Sequence, residues 1–137
     1  MLPTNLTTNE VKDSAGTEIE FFRLGTLDRS VTFAKIGEVP NLPHRLKVSH
    51  LETGSGPLQR RRSVARFDKT ITGVSGTPRV VSCYSVLDAP IGDINTTTEL
   101  INVVAELNSF MASLGASTTI LYDGTGNGAG ALINGSL

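Results

Sequence analysis

A chain of 137 residues is read as one domain with room for a single core, and with no run of about 18 apolar residues it holds no stretch that would cross a membrane as a helix. The start, Met1-Leu-Pro-Thr-Asn-Leu-Thr-Thr, lacks a basic segment followed by an apolar one, so no secretory signal is expected, and the lone Cys83 in an apolar run reads as a buried thiol in a reducing compartment. The formal net charge of -1 conceals two halves. Between Asn41 and Thr70 seven basic residues face two acids, and everywhere else eleven acids outnumber five basic residues.

The opening segment is rich in Thr and Asn. Asn9 to Lys12 and Thr17 to Leu24 flank Asp13-Ser-Ala-Gly16, which predicts a hairpin turning at Gly16, its second arm of strand composition. A further strand follows over Arg29 to Ile36. Gly37-Glu-Val-Pro-Asn-Leu-Pro43 breaks the pattern, because two prolines exclude regular central pairing.

The basic stretch comes next, and its period matters as much as its charge. Leu42, Leu46 and Val48 share one parity while Arg45, Lys47 and Ser49 share the other, the alternation of a strand with one buried and one wet face. After the turn signal Thr53-Gly-Ser-Gly-Pro57, the run Leu58 to Ile71 alternates again. Ser63, Ala65 and Phe67 oppose Arg60, Arg62, Val64 and Arg66. Paired as an antiparallel hairpin, the two strands would lay Arg45, Lys47, Arg60, Arg62 and Arg66 on one surface. Like charges at that density repel, and phosphates fit such a surface best; the bland alternative is a solvated charged face. Arg61 has the opposite parity from its neighbours.

Thr72-Gly-Val-Ser-Gly-Thr-Pro78 is a loop by composition, leading into a long strand over Arg79 to Asp88. Val81, Cys83 and Leu87 share one parity there; Val80, Ser82, Tyr84 and Val86 share the other. The period then changes. Leu100, Ile101, Val103, Val104, Leu107, Phe110, Met111 and Leu114 form a stripe at helical spacing that must be buried, Phe110 and Met111 as core residues. Thr96-Thr-Thr-Glu99 fits a capping box and Gly115 a C-terminal cap. Ala116 to Tyr122 is a candidate short helix or strand, and the remainder, 123–137, is a glycine-rich tail. Within it Gly126-Asn-Gly-Ala-Gly-Ala131 has the letters of a dinucleotide fingerprint, but no helix is expected after it to present an N-terminus to a pyrophosphate.

Catalytic and metal-binding patterns are missing. His44 and His50 share a parity six residues apart with no cluster of Cys or carboxylate beside them, so no metal site and no cofactor are expected. Nothing places Ser, His and Asp as a triad, and Glu18 and Glu20 are as easily a solvated edge as a catalytic pair. The chain is not expected to be an enzyme.

The order of elements resembles that of the coat proteins of single-stranded RNA bacteriophages, the levivirus type. The likeness is carried by Arg45-Leu-Lys-Val-Ser-His50, by the basic strand Gln59-Arg-Arg-Arg-Ser-Val-Ala-Arg-Phe-Asp68, by the glycine-containing loop ending in Pro78, and by Val80-Val-Ser-Cys-Tyr84 leading to Gly92-Asp and the helix. It implies an α+β fold: an N-terminal β-hairpin (region 1–16), a five-stranded antiparallel sheet (17–90), then one long and one short helix (95–122). Two subunits of this family complete a ten-stranded sheet, so the resemblance makes Leu100, Val103, Val104, Leu107, Phe110, Met111 and Leu114 a homodimer interface. It implies that Leu46, Val48, Ala65, Phe67, Val81, Cys83 and Leu87 point to the helices. Arg45, Lys47, Ser49, Arg60, Arg62, Arg66, Ser82 and Tyr84 would then bind RNA, including a hairpin that serves translational repression and packaging. Tyr84 occupies the place of an aromatic that stacks on an unpaired base; Val86 stands where the family often has Asn. Gly73, Val74, Ser75, Gly76, Thr77 and Pro78 would form the contact loop between dimers, with no Cys for a loop disulfide. The implied partners are the chain itself, first as dimer and then as icosahedral shell, single-stranded genomic RNA and a maturation protein, with no membrane. The implied location is the virion, assembled in the bacterial cytoplasm. Two rivals remain: a non-viral RNA-binding β-module that dimerises without a shell, and a small enzyme with its site on the basic sheet.

Overall fold

The computed structural model describes residues 1–116 and 119–136, and the chain forms two compact units. One comprises Met1–Val11 and Glu18–Ile94; the other comprises Lys12–Thr17 and Asn95–Leu137. No helix is long and apolar enough to cross a membrane.

The first unit is an antiparallel meander in which each strand pairs with its sequence neighbour: β1 (Asn5–Leu6), β2 (Phe21–Leu27), β3 (Ser30–Lys35), β4 (His44–Thr53), β5 (Arg60–Thr72) and β6 (Pro78–Ala89). The sheet therefore has six strands, not the expected five. The addition is β1, whose two residues pair with Phe21 and Phe22. Arg23 explains why so short a strand holds: its Nη2 donates to the carbonyls of Leu2 and Pro3, each at 2.9 Å, while its guanidinium lies 5.6 Å from the centre of the Phe33 ring. Leu6 is buried as a result. The turn anticipated at Asp13 to Gly16 is present, with Asp13 Oδ1 accepting from the backbone N–H groups of Ala15 and Thr17, each at 2.9 Å.

Antiparallel partners share a face of the sheet, and the register sorts the residues without ambiguity. Phe21, Phe33, Leu46, Val48, Ala65, Phe67, Val81, Cys83 and Leu87 fall on one side. The core sits under only part of it: Leu6, Phe21, Phe33 and Leu46 are buried, with Val11, Ile19, Val31, Val48 and Phe67 packed around them. This is the end of the sheet that the N-terminal residues cover. Towards β6 the same side is open, and Cys83 is exposed rather than buried as its apolar neighbours suggested. Strand parity assigned its side correctly; being on an apolar side does not ensure cover.

The second unit holds two helices, α1 (Thr98–Ala112) and α2 (Asn127–Asn134). The 15 residues of α1 span about 22 Å. Its capping differs from expectation at both ends. Thr97, not Thr96, is the N-terminal cap and makes no side-chain cap bond, so the capping box does not form. The helix ends at Ser113 in an extended conformation, two residues before Gly115. The returning chain supplies what a cap would: the carbonyl of Ala112 accepts from Leu121 N–H at 2.8 Å, and that of Ser113 from Asn127 N–H at 2.9 Å. Of the candidate segment Ala116 to Tyr122, Ser117 and Thr118 lie outside the described residues, and Ile120 makes a single bridge to Ser113.

The second helix falls in the glycine-rich tail, and there the expectation fails for a physical reason. Glycine weakens a helix by about 1 kcal/mol per residue relative to alanine, yet here its missing side chain is what allows the contact. A Cβ on Gly126 would lie 2.2 Å from the Met111 carbonyl oxygen, and one on Gly128 would lie 2.7 Å from the Phe110 ring. The first two glycines of the apparent dinucleotide fingerprint, Gly126 and Gly128, are therefore spent on close helix packing.

Candidate nucleic-acid interface

The second side of the sheet carries the charge. In β4 and β5 the register pairs Arg45 with Asp68, Lys47 with Arg66, Ser49 with Val64, Leu51 with Arg62 and Thr53 with Arg60. In β5 and β6 it pairs Arg62 with Asp88, Val64 with Val86, Arg66 with Tyr84 and Asp68 with Ser82. All eight residues for which the resemblance implies RNA contact, Arg45, Lys47, Ser49, Arg60, Arg62, Arg66, Ser82 and Tyr84, thus lie on one side of three adjacent strands. Arg61 pairs with Glu52 and Ala89 on the other side.

The same register brings acids to this side as well, Asp68 and Asp88 among them. Arg66 Nε donates to both carboxylate oxygens of Asp68 at 2.9 Å, and its Nη2 reaches Ser82 Oγ at 3.2 Å. The Ser82 hydroxyl also donates to Asp68. The hydroxyl first, and the guanidinium after it, hold the Asp68 carboxyl below the usual carboxylate range. Arg60 Nε donates to Asp88 Oδ1 at 2.9 Å. Arg45 bonds to Glu38 from the loop before β4, and that bond, against the opposing cost of desolvation, lowers the Glu38 pKa. The signal was available: Asp68 has the parity of Arg66, and Asp88 that of Tyr84.

Three of the five cations therefore come with a carboxylate already in place. Among the described residues Lys47 and Arg62 have no ion pair, which leaves their full charge toward solvent. Tyr84 pairs with Arg66, which pairs in turn with Lys47, so the three form one row across the sheet. Tyr84 is 59 % exposed, and the Arg66 guanidinium is 5.6 Å from the centre of its ring. An exposed aromatic flanked by cations can stack a base while the cations meet the flanking phosphates.

Elsewhere the named residues lie as follows. Gly73 to Thr77 form the tight turn between β5 and β6, with Gly73 N–H donating to Thr77 O at 2.9 Å, while Pro78 already opens β6. Val74 at its tip is fully exposed. On α1, Val103, Val104, Leu107, Phe110 and Leu114 are exposed and Leu100 and Met111 half-buried, so the stripe expected to be core is largely open in one copy of the chain. His44 sits edge-on to Phe21 at 5.1 Å between centres, and His50 Nδ1 is 2.8 Å from Ser63 Oγ. No group of three or more metal-ligating side chains converges among the described residues.

No protein-family model matches the chain, and no curated protein matches it in sequence. Solved structures do match in shape. The coat protein of bacteriophage EMS014 superposes with a TM-score of 0.68 at 13% identity, covering 87% of each chain. The chain has the coat-protein fold of levi-like bacteriophages. The virus-like particle of Beihai levi-like virus 32 matches with a TM-score of 0.55 at 22% identity over 74% of this chain and 88% of its own. That of bacteriophage GQ-907 matches with a TM-score of 0.51 at 15% identity over 86% and 96%. At such identities the coat-protein fold is shared through its pattern of strands and helices, not through individual residues.

Proposed function

We propose that this chain is the coat subunit of a single-stranded RNA bacteriophage: it dimerises, assembles with further dimers into an icosahedral shell, and lays the cationic side of its sheet against the enclosed RNA. The observation that carries this reading is the sheet itself. Five cations and an exposed tyrosine share one side, and the other side is apolar and open where it nears β6. A subunit that leaves an apolar sheet surface and an apolar helix stripe exposed is incomplete alone, and a second copy supplies matching surface to both.

Assembly in the solved neighbours supports the same reading, since several of them are virus-like particles. The sheet is also the natural place for an RNA hairpin, with Tyr84 stacking a base at about 1 to 3 kcal/mol and Lys47 and Arg62 meeting phosphates. Gly73 to Thr77 then make contacts between dimers, and 1–137 acts as one coat-protein domain. Expression in a bacterium followed by sizing tests the proposal. Megadalton particles whose RNA survives nuclease are expected. A stable dimer that binds RNA but never assembles would favour a non-viral RNA-binding module instead.

A further inference from the structure

Charge divides along the chain as well as across the sheet. After Arg79 there is no Lys, Arg or His at all, while Asp88, Asp93, Glu99, Glu106 and Asp123 follow. The helical segment from Asn95 onward is therefore acidic wherever its side chains are charged. On α1 the two carboxylates stand seven residues apart, which places them on one flank of the helix about 10 Å from each other. Each precedes by four residues a member of the apolar stripe, Glu99 before Val103 and Glu106 before Phe110, so both border the surface that needs a partner.

The open apolar part of the sheet has the reverse sign. On that side β5 and β6 carry no carboxylate, and towards the Gly73 to Thr77 turn they present Lys69 and Arg79. Lys69 pairs in register with Val81, and Arg79 with Ile71, so the cations sit on neighbouring strands one step apart, about 7 to 8 Å. Both are exposed, and among the described residues neither they nor Glu99 and Glu106 make an ion pair. The two spacings match within the reach of these long side chains.

We propose that Glu99 and Glu106 of one copy pair with Lys69 and Arg79 of a second copy, so that charge at the rim sets the direction in which a helix lies across its partner's sheet. This rests on the dimeric coat-subunit reading and adds what fixes the alignment. An apolar stripe on an apolar surface is tolerant of sliding and reversal; a pair of opposite charges at one end of the contact is not.

Charge reversal tests it. One chain carries Glu99→Lys with Glu106→Lys, and the other carries Lys69→Glu with Arg79→Glu. Each alone places like charges together, and its dimer dissociation constant at low salt is expected to rise about tenfold or more, equivalent to about 1.4 kcal/mol. Co-expressed under different tags, the two should recover wild-type affinity as mixed dimers, because both contacts are then complementary. A chain with all four substitutions should also recover, which shows that each change is compatible with folding. Recovery in that chain but not in the mixture would overturn the proposal in favour of a helix over its own sheet. No loss in either variant, or no recovery in either combination, would overturn it as well. A wild-type protein that is monomeric at every concentration would instead sink the coat-subunit reading.

Discussion

At the scale of single residues, the cationic side of the sheet is less uniform than its count of arginines. Arg45, Arg60 and Arg66 are held by Glu38, Asp88 and Asp68, whereas Lys47 and Arg62 stand free of ion pairs among the described residues. A phosphate that binds Arg66 must compete with a carboxylate gripping it through two oxygens. Lys47→Ala and Arg62→Ala are therefore expected to weaken RNA binding most clearly and to reduce the salt slope by about one each, as read by filter binding across a salt series. An unchanged slope would remove that residue from the interface. Asp68→Asn should act in the opposite direction, tightening RNA binding by freeing Arg66 and removing a negative charge.

His44 gives a second prediction at this scale. Burial against Phe21 and Phe67, and after it the charges of Lys69 and Lys35, lower its pKa, while Glu38 opposes them. The folded protein thus favours neutral His44. Its contribution to stability is present above the ordinary histidine value of about 6.5 and is lost as pH falls from there through the lower folded-state value. Thermal melts should show the midpoint falling on acidification in that window, with His44→Phe flattening the dependence. Glu38 has the other carboxylate pattern: its contribution is complete above the ordinary range near 4.5 and disappears only at still lower pH.

At the scale of elements, the second helix is the instructive case. Its glycines divide into those that permit contact and those that merely weaken a helix. Gly126→Ala and Gly128→Ala push a methyl into Met111 and Phe110, and each should cost about 1 to 3 kcal/mol and loosen 127–134 by hydrogen exchange. Gly130 has nothing within 4 Å of a Cβ, so Gly130→Ala should leave packing intact and stabilise by up to about 1 kcal/mol. Equal effects at all three positions would mean that α2 does not rest on α1 as described. Composition hid this helix because high glycine content at sequence level signals backbone freedom, and only a neighbouring side chain shows when freedom is traded for proximity.

At the scale of the whole molecule, neither the apolar stripe of α1 nor the sheet toward β6 is covered in one copy of the chain. With two copies pairing through this stripe as proposed, Leu107→Asp should abolish dimers in sedimentation experiments, because it would bury a charge without a counter-ion. Dimers that survive it would place α1 outside the interface. Shell formation should fail in the same variant, since a subunit that cannot pair cannot present the contacts that dimers make with one another.

The strand alternation was legible in the residues themselves because side-chain direction in a strand has a period of two and needs no knowledge of neighbours. Arg45 had to share a side with Lys47, and Arg62 with Arg66, once their segments were strands, while the register of β4 on β5 put the two pairs on the same side; the long stripe from Leu100 to Leu114 needed only the helical period. What depended on distant parts of the chain was decided by the tertiary structure: the two-residue strand held by Arg23, the carboxylates of Asp88 and Glu38 brought to particular arginines, the exposure of Cys83, and the helix made from a glycine-rich end. Local chemistry determines which way a side chain points; what it meets there is set by chain elements far away in sequence, and those become neighbours only on folding.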